Sequence, residues 1–261
     1  MSRSIEIAAK YIREGKLVAF PTETVYGLGA NAFNPRAVAK IFELKERPFF
    51  DPLIVHIAQL TQLETLITTK DERVYHLAER FWPGPLTIVL PKSKLVPEIV
   101  SSGLPTVAIR MPANDIALEL ILQSDCPIAA PSANKFGRIS PTSAAHVRKQ
   151  LTSVDYILDG GKTAVGIESS IIQLTNIGFK ILRNGVITQE DLETILPYDH
   201  TACLDEISAP GMMKSHYSPG KKFLIAYHSS LSLDKSKAGL ISFSGQLEPG
   251  YHKVITQLSH L

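Results

Sequence analysis

Cysteine is scarce in this chain: two in 261 residues, Cys126 and Cys203. They form no CxxC, which excludes a disulfide framework and a cysteine zinc site; reduced thiols in a cytoplasmic protein are expected. No run of about 18 apolar residues occurs, so no membrane-spanning helix and no membrane partner are expected. Met1 to Lys10 mixes charges with small residues and lacks the apolar core of a signal segment. Aromatics make up only 7% and the formal net charge is +2. Both argue against a stacking platform for nucleic acid, and any anion site must be local. The motifs HExxH, GxSxG and GxGxxG after a strand are missing, and the eight histidines lack metal-ligand spacing. Asp159-Gly160-Gly161-Lys162-Thr163 ends like a phosphate-binding loop, but Tyr156 stands where its first glycine belongs. Neither a zinc mechanism nor a covalent one has a visible carrier, and no metal ligands are assigned.

What is present is an ordinary globular composition, 44% hydrophobic and 20% charged, long enough for one large or two unequal domains. Ile5, Ala8, Ala9 and Ile12 recur at helical spacing, and Gly15 suits a left-handed stop. Leu17 to Phe20 is a buried strand ended by Pro21. Asn34-Pro35 opens a helix reaching about Lys45, with Asn34 as its cap. Strands are predicted at 53–57, 86–90, 106–110 and 128–130, and helices at 72–81, 115–123 and 142–151. Strands near 156–158, 170–174 and 180–182 precede a helix at 191–196. Alternating strands and helices argue an α/β layer fold, and the late cluster of strands argues a mixed sheet.

Residues 198–220 carry Pro210-Gly211 and Ser218-Pro219-Gly220 with little periodicity, and read as a linker. The organisation expected is a main domain over 1–197, a linker or lid over 198–220, and a small α/β region over 221–261 with strands at 222–227 and 240–243. A tail that short rarely holds a core by itself.

Several polar segments directly follow predicted strands, where α/β sheets usually bind ligands. Pro21-Thr22-Glu23-Thr24-Val25-Tyr26-Gly27-Leu28-Gly29 is either such a site or a capped turn. Lys45-Glu46-Arg47-Pro48 leaves a helix C-terminus, where the dipole alone favours Lys45. Arg47 before proline is held extended, as a fixed fork for an anion. His56 is a core histidine or a ligand contact. Arg110 ends a buried strand and needs a carboxylate or phosphate partner, structural or bound. Ala130-Pro131-Ser132-Ala133-Asn134 has small side chains that let a ligand approach the backbone. Glu168-Ser169-Ser170, Arg183-Asn184-Gly185, and Met212 with Lys214 and His216-Tyr217 complete the set. Three arginines, hydroxyls and a histidine at strand ends suit a phosphate-bearing nucleotide and a small zwitterion.

In order, PTETVYGLG, KERP with PLIVH, WPGPLT, TVAIRMP, APSAN and ESSII closely resemble the YrdC-like domain of the L-threonylcarbamoyladenylate synthases. The resemblance spans roughly residues 4–220, and Gly211-Met212 with His216-Tyr217-Ser218-Pro219 is similar to the linker of the two-domain branch. It implies an α/β fold with a twisted mixed sheet around a large concave basic cavity, plus a small C-terminal extension. It implies an enzyme that joins L-threonine, bicarbonate and ATP with Mg2+ and releases pyrophosphate. The product serves a downstream threonylcarbamoyl transferase machinery that modifies tRNA, with weak tRNA or RNA binding as a further expectation. By motif, Thr24, His56, Arg110, Ala130 and Ser169 resemble the threonine-binding positions. Arg47, Asp51, Thr106, Ser132, Ser140, Arg183 and His216 resemble the ATP-binding ones. Lys45, Arg47 and Arg110 resemble the groups that promote the reaction. Asp51 departs from the asparagine usual there, Asn184 from the usual proline, and the C-terminal region is shorter than in the two-domain branch. The alternative is a family member that binds nucleotide or RNA and lacks synthase activity.

Overall fold

The computed structural model describes residues 1–201, together with 234, 236 and two short strands at 239–241 and 253–255. The chain divides into two units, Met1–Gly220 and Lys221–Leu261. In the second, β10 (Gly239–Ile241) and β11 (Lys253–Ile255) pair in parallel, Leu240 opposite Val254. The predicted strand at 222–227 lies outside the described residues.

The first unit is built on one nine-stranded sheet. Its strands are β1 (Val18–Phe20), β2 (Gly27–Asn31), β3 (Ile54–His56), β4 (Leu86–Pro91), β5 (Thr106–Arg110), β6 (Ile128–Ala129), β7 (Tyr156–Ile157), β8 (Ser170–Leu174) and β9 (Phe179–Arg183). They lie in the order β7-β1-β2-β6-β3-β5-β4-β8-β9. β7 with β1, β3 with β5 and β4 with β8 are parallel pairs, and the remaining neighbours are antiparallel. The mixed sheet expected from the sequence is therefore present.

Side chains alternate across a strand, and that alternation sorts the core into layers. Ala19, Val55, Val107, Ile109 and Ala129 join the largest cluster with α2 (Pro35–Lys45) and α4 (Glu72–Phe81). Val18, Phe20 and Ile128 point to the opposite face. There they meet Ile5, Ala8, Ala9 and Ile12 of α1 (Ser2–Arg13) and Ala117, Leu120 and Ile121 of α6 (Asp115–Ser124). A third, small cluster of Ile54, Val89, Ala108, Ile171 and Leu182 belongs to β3, β4, β5, β8 and β9. His56 and Arg110 share its face by alternation, and so does the site described below.

Local signals explain most elements. The Asn34 side chain accepts from the amides of Arg36 and Ala37, with Pro35 in the first helical position, and Gly15 has φ +71°. Three elements differ from the sequence reading. Residues 27–31 are a strand paired with β1, Phe20 opposite Gly27 and Val18 opposite Gly29, where a polar loop was expected. Glycine is required there by close packing: a Cβ on Gly29 would lie 2.7 Å from Ile128 Cγ2 and 2.8 Å from Phe20 Cε1. Short helices α3 (Leu60–Leu66) and α5 (Glu98–Ser101) were not foreseen; neither has a side-chain cap. The remaining helices, α7 (Ala144–Gln150) and α8 (Gln189–Glu193), do have one, from Ser143 and Thr188. Among the described residues no helix is long and apolar enough to cross a membrane.

Candidate active site

The strand ends bring the motif segments together by main-chain hydrogen bonds. Tyr26 N donates to Pro141 O, Leu28 N to Pro131 O and Ala133 N to Tyr26 O, which ties the 130–141 segment to residues 26–28. Val165 N and Gly166 N donate to the carbonyls of Glu23 and Thr24, which brings in the segment before Glu168. The Tyr26 hydroxyl donates to Gly161 O at 2.7 Å and accepts from Gly160 N at 3.1 Å. The conspicuous Gly160-Gly161-Lys162-Thr163 run is thus a strut behind the site.

Two adjoining cavities result. The first, about 440 Å³, is lined by Thr22, Thr24, Val25, Gly27, Arg47, Ile54, His56, Arg110, Ala130, Pro131, Ser132, Glu168 and Arg183. The second, about 860 Å³, is lined by Val25, Ile139, Ser140, Gly166, Ile167, Glu168, Arg183, Asn184 and Gly185. Val25, Glu168 and Arg183 belong to both walls, so the two share a border.

Each arginine of the site approaches a carboxylate. Arg47 Nη2 lies 2.9 Å from Asp51 Oδ2, and its guanidinium also donates to the carbonyls of Asp51 and Pro52. Arg110 Nη2 lies 2.6 Å from Glu23 Oε1, while Nε donates to Gly84 O and Nη1 to Thr24 Oγ1. The Glu23 contact is short but poorly aligned: neither that oxygen nor Arg110 Nη2 has a partner in hydrogen-bond geometry. It is a charge contact, and the guanidinium plane is set by the hydrogen bonds to Gly84 O and Thr24 Oγ1. Arg183 Nη2 lies 3.6 Å from Glu168 Oε2 and donates to Ser169 Oγ, which also contacts Thr87 Oγ1 at 2.8 Å. Glu168 Oε1 accepts from Ser140 Oγ at 2.8 Å.

Burial sets the protonation pattern. His56 is fully enclosed, beside Phe20 edge-on. Desolvation, reinforced by the positive charge of Arg110, pushes its pKa down to about 3, so it is neutral at physiological pH and its Nδ1 has no hydrogen-bond partner. Burial raises the Asp51 pKa, and the nearby Arg47 only partly opposes it. Burial lowers that of Arg110, opposed by Glu23.

Thr24, Arg47, His56, Arg110, Ala130, Ser132 and Arg183 line the first cavity, Ser140 the second, and Ser169 supports Arg183 from behind. Thr106 borders neither. It lies on the same face of β5 as Ala108 and Arg110, about 13 Å along the strand at about 3.3 Å per residue. Asp51 is fully buried against Arg47. Lys45, expected among phosphate-neutralising groups, is corrected: its ammonium is buried and donates to the carbonyls of Ser132 and Asn134. Desolvation, with the charge of Arg47, pulls its pKa well below the usual lysine range. It braces the 132–134 loop and does not border either cavity. His216 and Lys214 lie outside the described residues. Thr22, Glu23 and Glu168 were not singled out as site residues from the sequence. They stood in the motif segments, but an acid gains meaning there only from the arginine it faces.

Fold and site together define an α/β protein whose cavity is lined by fixed arginines and oriented hydroxyls. The chain belongs to the Sua5/YciO/YrdC family. The family model described as "Telomere recombination" matches residues 10–185, and one described as "Threonylcarbamoyl-AMP synthase, C-terminal domain" matches 187–257. It is 51% identical over 228 residues to a threonylcarbamoyl-AMP synthase of Pyrococcus abyssi, covering 85% of this chain and 67% of that protein. A protein of the same name from Bacillus subtilis is 48% identical over 219 residues, covering 81% and 63%. The chain thus spans about two thirds of the length of these relatives. Among solved structures it is similar to Pyrococcus abyssi Sua5 complexed with L-threonine, at 52% identity and TM-score 0.78, covering 82% of this chain and 65% of that one. Escherichia coli YciO, at 23% identity and TM-score 0.65, shares the fold.

Proposed function

We propose that this protein makes L-threonylcarbamoyladenylate from L-threonine, bicarbonate and ATP, with release of pyrophosphate. The observation that carries the reading is the junction of the two cavities: a smaller one around Arg110, His56, Thr24 and Ala130, and a larger one beside Ser140 and Arg183. Threonine's carboxylate pairs with Arg110, a charge-assisted contact. The nucleotide occupies the larger cavity with its phosphates toward Arg183 and Arg47. Ser132, in the wall of the first cavity, and Thr106, by its motif position, are assigned to the nucleotide, and Asp51 acts through Arg47. The threonine amine captures bicarbonate as a carbamate, with loss of water. A carbamate oxygen then attacks the α-phosphorus and pyrophosphate leaves. Such a transfer needs position and charge stabilisation more than a side-chain nucleophile.

Magnesium fits this site only as a companion of the triphosphate. Asp51 and Glu168 each face an arginine, and the described residues contain no group of three or more potential ligands. Phosphates and water supply the coordination in such a case. Cytoplasmic location, hand-over to a threonylcarbamoyl transferase machinery, and weak tRNA contact belong to the same reading. The test is pyrophosphate release with ATP and magnesium, with threonine and bicarbonate omitted in turn. Release that requires both supports the synthase; equal turnover without threonine refutes it. ATP binding without any release supports the alternative of a nucleotide-binding member without synthase activity.

A further inference from the structure

Among the described residues, Glu168 is the one acid that lines either cavity, and it lines both. Glu23 and Asp51 face Arg110 and Arg47 and border neither. The Glu168 carboxylate is held by Ser140, whose Oγ donates to Oε1 at 2.8 Å, and by Arg183, whose Nη2 lies 3.6 Å from Oε2. Both holders are on the nucleotide side: Ser140 lines the larger cavity, and Arg183 lines the two. A phosphate that takes the Ser140 hydroxyl and the Arg183 guanidinium takes them from Glu168, and its own charge repels the carboxylate. The first cavity, in turn, is lined by three guanidiniums, those of Arg47, Arg110 and Arg183. An amino acid carries an ammonium into that field, and a partly buried cation needs a counter-charge there. Burial lowers the Arg110 pKa, and the charges of Glu23 and Glu168 oppose it. Glu168 is thus within electrostatic reach of the residue that pairs with the amino acid's carboxylate.

We propose that Glu168 is a movable counter-charge that couples the two ligands: nucleotide phosphates displace its carboxylate from Ser140 and Arg183, and the displaced carboxylate binds the ammonium of the amino acid at the border of the cavities. The inference rests on the synthase reading and deepens it. Each ligand then favours the other. The nucleotide releases the carboxylate that the amine needs, and the amine holds that carboxylate away from the phosphates. Linkage makes the effect equal in both directions. The amine is also set at the shared border, the side from which a carbamate built on it reaches the α-phosphorus.

Calorimetry of the full chain in bicarbonate-free buffer with magnesium tests this. The probes are L-threonine, its 2-hydroxy analogue of the same configuration, which offers no cation, and α,β-methylene-ATP, whose α–β bridge is not cleaved. In the wild-type protein the nucleotide analogue is expected to strengthen threonine binding roughly tenfold, and threonine to strengthen nucleotide binding by the same factor. The 2-hydroxy acid shows no such gain. Glu168→Gln keeps the size of the side chain and removes its charge. It is expected to bind the nucleotide analogue at least as tightly as the wild-type protein, with a coupling factor within about twofold of one. A wild-type factor already within about twofold of one overturns the proposal and leaves the synthase reading standing. An equal gain for the 2-hydroxy acid does the same, and neither result requires the variant to fold. In folded Glu168→Gln an unchanged factor overturns it, because ammonium and phosphate then attract each other directly. Nucleotide binding weakened about tenfold in that variant overturns it too, because the carboxylate then helps to hold the nucleotide or its magnesium. A wild-type protein that binds neither threonine nor nucleotide removes the synthase reading with it.

Discussion

His56 gives the site a measurable pH signature. It is fully enclosed, and its pKa of about 3 lies far below the unperturbed value of 6.5. In the unfolded chain the imidazole takes a proton as pH falls through 6.5; in the folded chain it stays neutral until about 3. Between those values the unfolded state binds more protons, so stability is full above pH 6.5 and is lost as pH falls toward 3. The whole gap corresponds to about 5 kcal/mol, and the part between pH 7.5 and pH 5 to about 2 kcal/mol. Urea unfolding followed by tryptophan fluorescence reads this in the right unit. Trp82 is the only tryptophan; it is buried, and its indole donates to Leu86 O at 2.7 Å. Other groups titrate as well, so the quantity to compare is the difference between the wild-type protein and His56→Gln, in which shared titrations cancel. That difference is expected to move by about 2 kcal/mol against the wild-type protein from pH 7.5 to pH 5. Parallel pH profiles for the two proteins would show that His56 is not held neutral by burial.

Three other perturbations probe the frame around it. Arg110→Ala removes a charge-assisted contact worth about 1.5–3 kcal/mol, so threonine affinity should fall roughly ten- to a hundredfold with a smaller effect on ATP; calorimetry showing unchanged threonine binding in folded protein refutes the assignment. Tyr26→Phe leaves Gly160 N and Gly161 O without their shared hydroxyl and should cost about 1–3 kcal/mol in urea unfolding; a loss below about 0.5 kcal/mol would mean that water replaces it. Gly185→Ala puts a Cβ 2.3 Å from Ser170 N and 2.6 Å from Glu168 O. It should lower stability by about 1–3 kcal/mol and weaken ATP binding; a wild-type melting temperature and ATP affinity in Gly185→Ala contradict the packing argument.

Local chemistry made much of this protein legible in its sequence. The Asn34-Pro35 start of α2, the helical spacing of Ile5, Ala8, Ala9 and Ile12, and the strand ending in Arg110 follow from capping, periodicity and burial over a few residues. The motif series marks Thr24, Arg47, His56, Arg110, Ala130, Ser132, Ser140 and Arg183, and all eight line one of the two cavities. Tertiary structure alone decided the rest. Gly27–Asn31 became a strand because Phe20 and Ile128 close over Gly29 and leave no room for a side chain, a fact that strand propensity, low for glycine, cannot express. Lys45 turned inward because the carbonyls of Ser132 and Asn134 lie against it. Arg110 and Arg183 met Glu23 and Glu168 through folding of the sheet. Electrostatic pairing depends on distance in space, and residues 23 and 110 become neighbours only when β1, β2, β6, β3 and β5 lie side by side.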